Sequence, residues 1–192
     1  TGSIASSVIH NNGMLVFNRS DTLGVAGAID GTGNVVQAGK GTTVLSADNT
    51  YTGATTIMQG TLQLGAGGTT GGIVSSAIHN GGTLVVDRSN TLSLAGKVDG
   101  QGNFVQAGTG TTVLSADNTY TGATTIAQGA LQLGTGGTTG SIASSTIHNK
   151  GARVTDRSNM LLLAGAIDGT GSLSQNGTGT TVLGANNTYT GA

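Results

Sequence analysis

Apolar and β-branched residues fall in short runs along this chain: Leu15-Val16-Phe17, Leu23-Gly24-Val25, Val35-Val36, Val44-Leu45 and Leu62-Gln63-Leu64. Between them stand polar breaks such as Asn11-Asn12-Gly13, Asp30-Gly31 and Ala47-Asp48-Asn49-Thr50. Where the runs alternate, as in Leu62-Gln63-Leu64, the period is two, which puts successive side chains on opposite faces of a strand. No apolar stripe of period 3.6 extends over a dozen residues, and Gly and β-branched residues are poor helix formers. The pattern predicts short strands punctuated by turns that Gly, Asn and Asp accommodate.

The pattern also repeats. GTTVLSADNTYTGATTI runs from Gly41 to Ile57 and returns letter for letter from Gly110 to Ile126, with a third version from Gly179 to Ala192. Val44, Val113 and Val182 are equally spaced, and Thr1-Gly2, Ile9-His10 and the Arg-Ser pairs at Arg19, Arg88 and Arg157 obey the same offset. Residues 1–192 therefore read as one array of repeats, 1–69, 70–138 and a truncated 139–192, cut from a longer protein. A fixed period of this kind marks a solenoid, in which each unit buries its apolar face on its neighbour. Strand entries after Gly13, Gly41, Gly60 and Gly82 follow one another at roughly 20–30 residues, lengths that suit the turns of a parallel β-helix. The expected fold is all-β, with about three rungs per repeat and rungs roughly 4.8 Å apart.

Comparison of copies predicts which residues point inward. Leu23, Leu92 and Leu161 are all apolar, as are Val25, Leu94 and Leu163, and Val35, Phe104 and Leu173 join them. Leu15 and Leu84 are matched by Arg153, and Phe17 and Val86 by Thr155. Either Val16 and its equivalents face the core, or Arg153 bends out to water from a degraded rung, since an unpaired buried charge is costly. The second reading is favoured.

Charge and composition narrow the function. Only 8% of residues are charged, with formal net charge −1 and neither Glu nor Cys. No basic stripe is present to neutralise phosphates, which argues against a nucleic-acid partner, and neither an apolar span nor a basic amphipathic helix points to membrane insertion by this segment. Abundant Gly, Ser, Thr and Asn suit a low-complexity chain, but regular apolar placement speaks against disorder.

The repeated GTTVLSADNTYTGATTI, followed by Gln128-Gly129-Ala130-Leu131-Gln132-Leu133-Gly134, resembles the passenger-associated transport repeat of autotransporters, surface proteins of Gram-negative bacteria. The likeness extends over the N-R-S-D-T-L and G-A-I-D-G-T-G segments. It implies a right-handed parallel β-helix passenger, exported through periplasm and outer membrane by a β-barrel that this chain lacks. It also implies a stalk role in cell-surface adhesion, self-association or biofilm formation, and in passenger folding during export. Its partners would be a second passenger, a host surface or a glycan.

Candidate chemistry is sparse. His10, His79 and His148 recur once per copy, too far apart to share a metal at bond lengths of roughly 2 Å, so no metal or cofactor is expected. The Asp positions recur with the period, as corner residues do; Asn186 replaces the third member of the Asp48 and Asp117 series. No paired carboxylates or nucleophile elbow stand out, and a non-enzymatic role is expected. The alternatives are a glycan-processing β-helix with its catalytic residues elsewhere, or a passive spacer. Arg19, Arg88 and Arg157 read as solvated corner residues or as a spaced contact series for an anionic glycan or another passenger. A flat Thr ladder for ice is set aside because the Thr positions are not expected to recur from rung to rung.

Overall fold

The computed structural model describes residue 4 and residues 6–192; the Thr1-Gly2 start of the first copy lies outside them. All regular structure among the described residues is β. The first copy supplies β1 (Val8–His10), β2 (Met14–Phe17), β3 (Thr22–Val25), β4 (Ala28–Asp30), β5 (Asn34–Gln37), β6 (Thr42–Leu45), β7 (Thr55–Ile57) and β8 (Thr61–Leu64). The second supplies β9 (Ala77–Asn80), β10 (Thr83–Val86), β11 (Leu92–Leu94), β12 (Lys97–Asp99), β13 (Asn103–Gln106), β14 (Thr111–Leu114), β15 (Thr124–Ile126) and β16 (Ala130–Leu133). The third supplies β17 (Thr146–Asn149), β18 (Ala152–Thr155), β19 (Leu161–Leu163), β20 (Ala166–Asp168), β21 (Ser172–Gln175) and β22 (Thr181–Leu183).

Every strand pairing is parallel, and the strands stack into three faces of a solenoid of about nine turns. One face carries β3, β6, β8, β10, β13, β15, β17 and β20 in succession. A second carries β2, β5, β7, β9 and β12 and resumes, through the Asp117–Ser141 bridge, as β19 and β22. The remaining face begins with β1 and β4, passes through the hydrogen-bonded Asn49 and Gly72 segments, and continues as β11, β14, β16, β18 and β21. At roughly 4.8 Å per turn the stack is about 43 Å tall.

The register gives the turn length. Leu23 lies beside Thr43, Thr43 beside Leu62 and Leu62 beside Leu84, so three turns carry the chain from Leu23 to Leu84. The stretch 85–92, which completes the copy, carries it on to the next face, where Leu92 begins β11. One copy is thus three and one-third turns. This refines the expected three rungs: the long interval from Gly13 to Gly41 holds one full turn, Gly13 to Gly33, plus a further stretch of the same kind, 34–41. Equivalent strands in successive copies consequently lie on different faces, as β3, β11 and β19 do.

Leu23, Leu92 and Leu161 point inward with Val25, Leu94 and Leu163, as the copies predicted, and Val35 and Phe104 are fully buried. Leu84 is buried as well, so the Leu15 column, not the Val16 column, faces the core. Tyr51 and Tyr120 are buried outside any strand; of the stretch from Tyr51 to Ile57, only Thr55–Ile57 pairs.

The core is also polar in places. Asn49 accepts from the Ile29 N–H at 3.0 Å and donates to Ala47 O and Gly72 O at 2.7 and 2.9 Å. Gln37 donates to Gly39 O at 2.8 Å and accepts from Thr43 Oγ1 at 2.6 Å. Asn118, Gln106 and Thr112 repeat this arrangement one copy later. These side chains close the turns from within, so the backbone groups that leave the ladder at each corner keep partners.

Arg153 does not bend out to water as expected. It is fully buried between Leu131 and Leu173, and none of its three guanidinium nitrogens has a hydrogen-bond partner. Neighbouring in-pointing strand positions hold the β18 backbone in the ladder, and the Leu register carries the Arg side chain inward with it. Burial pushes its guanidinium down to about 10.

Candidate contact surface and corner loops

The turn from Leu62 to Leu84 is longer than the turn from Leu23 to Thr43 by a loop at one corner. In the second copy this loop follows β16: Gly134 and Gly136 take φ of 86° and 85°, and Gly140 takes 100°, a backbone that L side chains rarely adopt. Its first-copy counterpart follows β8. Ala66 to Thr70 and Thr135 to Thr139 are the longest unbroken exposed runs among the described residues.

Each loop is fixed at its base by a buried arginine. Arg88 Nη1 donates to Asp48 Oδ1 at 3.0 Å, Nε and Nη2 donate to Asn90 Oδ1 at 3.1 and 3.0 Å, and Nη2 also donates to Thr69 O. Asp48 Oδ1 accepts from the Gly71 and Gly72 N–H groups as well, at 3.0 and 2.9 Å. The Gly72 N–H, with Arg88 and the Gly71 N–H adding to it, holds the Asp48 carboxyl below its ordinary range. Arg157, Asp117 and Asn159 repeat the knot one copy later. In the first copy Asp21 stands where Asn90 and Asn159 stand later, and Arg19 donates to it through Nε at 2.7 Å.

The arginine series is therefore not an exposed row. Arg88 and Arg157 are 6% and 5% exposed and their guanidiniums are committed to the loops; Arg19 alone is half-buried and faces Asp21 at the surface. The third of a turn also separates them, because each sits at a different corner of the solenoid. The sequence did not reveal the partner, since Asp48 lies 40 residues before Arg88. The one available signal was the change from Asp21 to Asn90 and Asn159, which exchanges a local ion pair for a neutral acceptor.

The histidines are outward and each pairs with the aspartate one turn on: His10 with Asp30 at 2.8 Å, and His79 with Asp99 and His148 with Asp168 at 2.9 Å. The three pairs lie on three faces, and no group of three metal-ligating side chains is assembled among the described residues.

Thr22, Thr42, Thr61 and Thr83 do stand in register on four successive turns, contrary to the expectation that Thr does not recur from rung to rung. Turns of unequal length hide this column from a reading by copy. The adjacent outward column is Gly24, Val44, Gln63 and Val85, so a Thr-x-Thr array is still not formed.

Comparison with known proteins places this architecture. The Passenger-associated-transport-repeat family matches residues 35–64, 104–133 and 173–192, one match in each copy. The chain is an autotransporter passenger segment built from these repeats. It is 38% identical over 156 residues to the adhesin BmaC autotransporter of Brucella suis biovar 1 (strain 1330), an alignment covering 71% of this chain and 4% of that protein. No solved structure matches. Each passenger-associated transport repeat begins on a strand of the long ladders, at Val35, Phe104 or Leu173, and the first two run to the end of β8 or β16, just before the corner loop.

Proposed function

We propose that the segment is a non-enzymatic stalk of a surface-displayed adhesin, supporting adhesion or self-association at the bacterial surface and stacking turn by turn during export. The observation that carries this reading is the 38% identity to an adhesin autotransporter, together with a repeat that stacks without interruption. Sequential folding fits an architecture in which each turn stacks on the one before it. A lack of Cys suits a chain that crosses a membrane unfolded, because a premature disulfide would block passage.

Bacteria displaying the full passenger, with and without residues 1–192, test the reading by settling rate and by binding to host-cell monolayers. Reduced settling or binding on deletion, restored by reinsertion, is the expected result. Unchanged behaviour would reduce the segment to a spacer. Release of reducing ends from a polysaccharide panel, abolished by an Asp→Ala change, would overturn the non-enzymatic reading.

A further inference from the structure

Two in-pointing positions of β18 carry polar side chains where the other copies carry apolar ones. Arg153 stands where Leu15 and Leu84 stand, and Thr155 where Phe17 and Val86 stand. Both are buried, and their polar atoms are orphaned together: Nε, Nη1 and Nη2 of Arg153 and Oγ1 of Thr155 have no partner. Gln37, Thr43 and Asn49, equally buried, are by contrast satisfied within the fold.

Neighbouring acceptors are already engaged. The Tyr120 hydroxyl, close enough to act on the guanidinium electrostatically, is bonded to Thr124 Oγ1 at 2.7 Å. Gln175 Oε1 accepts from Thr181 Oγ1 at 2.6 Å, while its amide donates to Gly177 O and Gly179 O at 3.0 and 3.2 Å. The carboxylates of this part of the chain are turned elsewhere: Asp117 holds Arg157, Asp168 holds His148, and Asp156 meets Gln132 at 3.4 Å. None forms an ion pair with Arg153 among the described residues.

Arg153 and Thr155 line a hollow of about 170 Å³ together with Leu173, Gln175, Leu183 and Tyr189. That is many times the roughly 10–15 Å³ that one water needs. The lining therefore combines one cation, one free hydroxyl and apolar walls from the two leucines and the tyrosine ring. A single positive charge is balanced by a monoanion, and the planar guanidinium fork matches the two oxygens of a carboxylate. A short hydrocarbon tail suits the leucines, whereas a doubly charged oxyanion would carry one unmatched charge into the core.

We infer that Arg153 and Thr155 form an internal site for a small monocarboxylate of acetate or propionate size. The guanidinium takes both carboxylate oxygens, the Thr155 hydroxyl donates to one of them, and the alkyl end rests on Leu173 and Leu183. The anion supplies the partner that the fold itself does not, and so ties the β18 turn to the β21 turn stacked on it. The stability of these turns then depends on a ligand.

Urea melts of the purified chain test this, with acetate or propionate titrated against chloride and sulfate at equal ionic strength. Above half-saturation, the folded-to-unfolded ratio of the wild type should grow about tenfold for each tenfold rise in carboxylate. In a zwitterionic buffer without small anions the guanidinium is unpaired and Arg153→Leu is the more stable protein. Added carboxylate should leave that variant unmoved and close the difference. Thr155→Val should keep the response, with the half-saturating concentration raised about tenfold by loss of one hydrogen bond to a charged group. A direct reading comes from the arginine Nε–H resonance of the ¹⁵N-labelled chain that disappears in Arg153→Leu; it should shift saturably over the same acetate range. Equal responses of wild type and Arg153→Leu, or a resonance that does not shift, would overturn the inference and leave the hollow to water. So would chloride or sulfate acting as strongly as acetate, which would mark a general salt effect.

Discussion

Replacing Arg153 with leucine should stabilise this protein. The side chain is fully buried, lies in register with Leu131 on one side and Leu173 on the other, and leaves Nε, Nη1 and Nη2 without partners. Its equivalent Leu84 is fully buried in the same orientation, so leucine fits the column. Burial lowers the guanidinium from its ordinary value to about 10; at about 1.4 kcal/mol per pKa unit, the charged form destabilises the native state by about 3 kcal/mol. That agrees with the several kcal/mol that a buried ion costs after relaxation. Arg153→Leu is therefore expected to gain about 2–4 kcal/mol, raising the urea midpoint by about 1 M. The pH dependence supplies an independent check. Below about 10 both states hold the proton and the full cost applies; between about 10 and the ordinary guanidinium value the native state releases it first, so wild-type stability relative to Arg153→Leu rises with pH. A variant no more stable than the wild type at pH 7, or a difference constant up to pH 11, would refute the reasoning and mean that the guanidinium has a partner.

Other consequences follow from the same packing. Thr155→Val should add about 1 kcal/mol in a urea melt, because Thr155 Oγ1 is buried without a partner where Val86 stands one copy earlier. Asn49→Ala should cost about 2–3 kcal/mol by the same measurement, since the Ile29 N–H loses its acceptor inside the core. Arg88→Ala should untie the first corner loop, making residues 66–70 the earliest site of limited proteolysis while the β-sheet circular dichroism persists. In an alkaline absorbance titration Tyr51, pushed up to about 12 by burial, and Tyr120, raised further by the same cause, should ionise only well above the ordinary phenol range. The unfolded chain releases those protons first, so both tyrosines withdraw stability as pH climbs past 10.

The apolar columns were legible because they depend on residue type alone: Leu23, Leu92 and Leu161 agree, and an intervening Ser93 fixes the face. Arg153 was misplaced because the argument weighed one side chain's solvation against nothing else. The backbone ladder of β18, paired on both sides, fixes where its side chain points. The corner knots were invisible for another reason: Asp48 and Arg88 are brought together by two turns of solenoid, and the length of a turn could not be read from a repeat period that is not a whole number of turns. Asn49 was legible in kind, as a turn residue, but not in place, since it satisfies backbone groups from inside the core.

The same third of a turn guards the fold against its own repetition. Near-identical segments stacked directly on one another invite slippage, because a strand shifted by a whole copy finds the same partner. Here β6 pairs with β3 and β8, while its identical counterpart β14 lies on another face and pairs with β11 and β16. Identical strands are thus never neighbours in a ladder. Each face runs through all the strand types of the repeat before one recurs, so Gln37, Thr43 and Asn49 meet their partners only in the correct order. A strand entering one turn early would set Thr61 in place of Thr42 beside Thr22, which the backbone tolerates, but would leave the Gln37 amide oxygen without the Thr43 hydroxyl. The buried polar side chains therefore carry register information that the aliphatic columns lack, and unpaired they cost about 1–3 kcal/mol each. The expected consequence is that Gln37→Leu paired with Thr43→Val, which removes the side-chain pair together but also takes the Gln37 amide from Gly39 O, costs about 1–3 kcal/mol of global stability and lets misregistered forms accumulate on refolding. Hydrogen exchange of the refolded double variant would resolve them as a second, less protected population of β5 and β6 amides. A single population identical to the wild type would show that apolar packing alone sets the register.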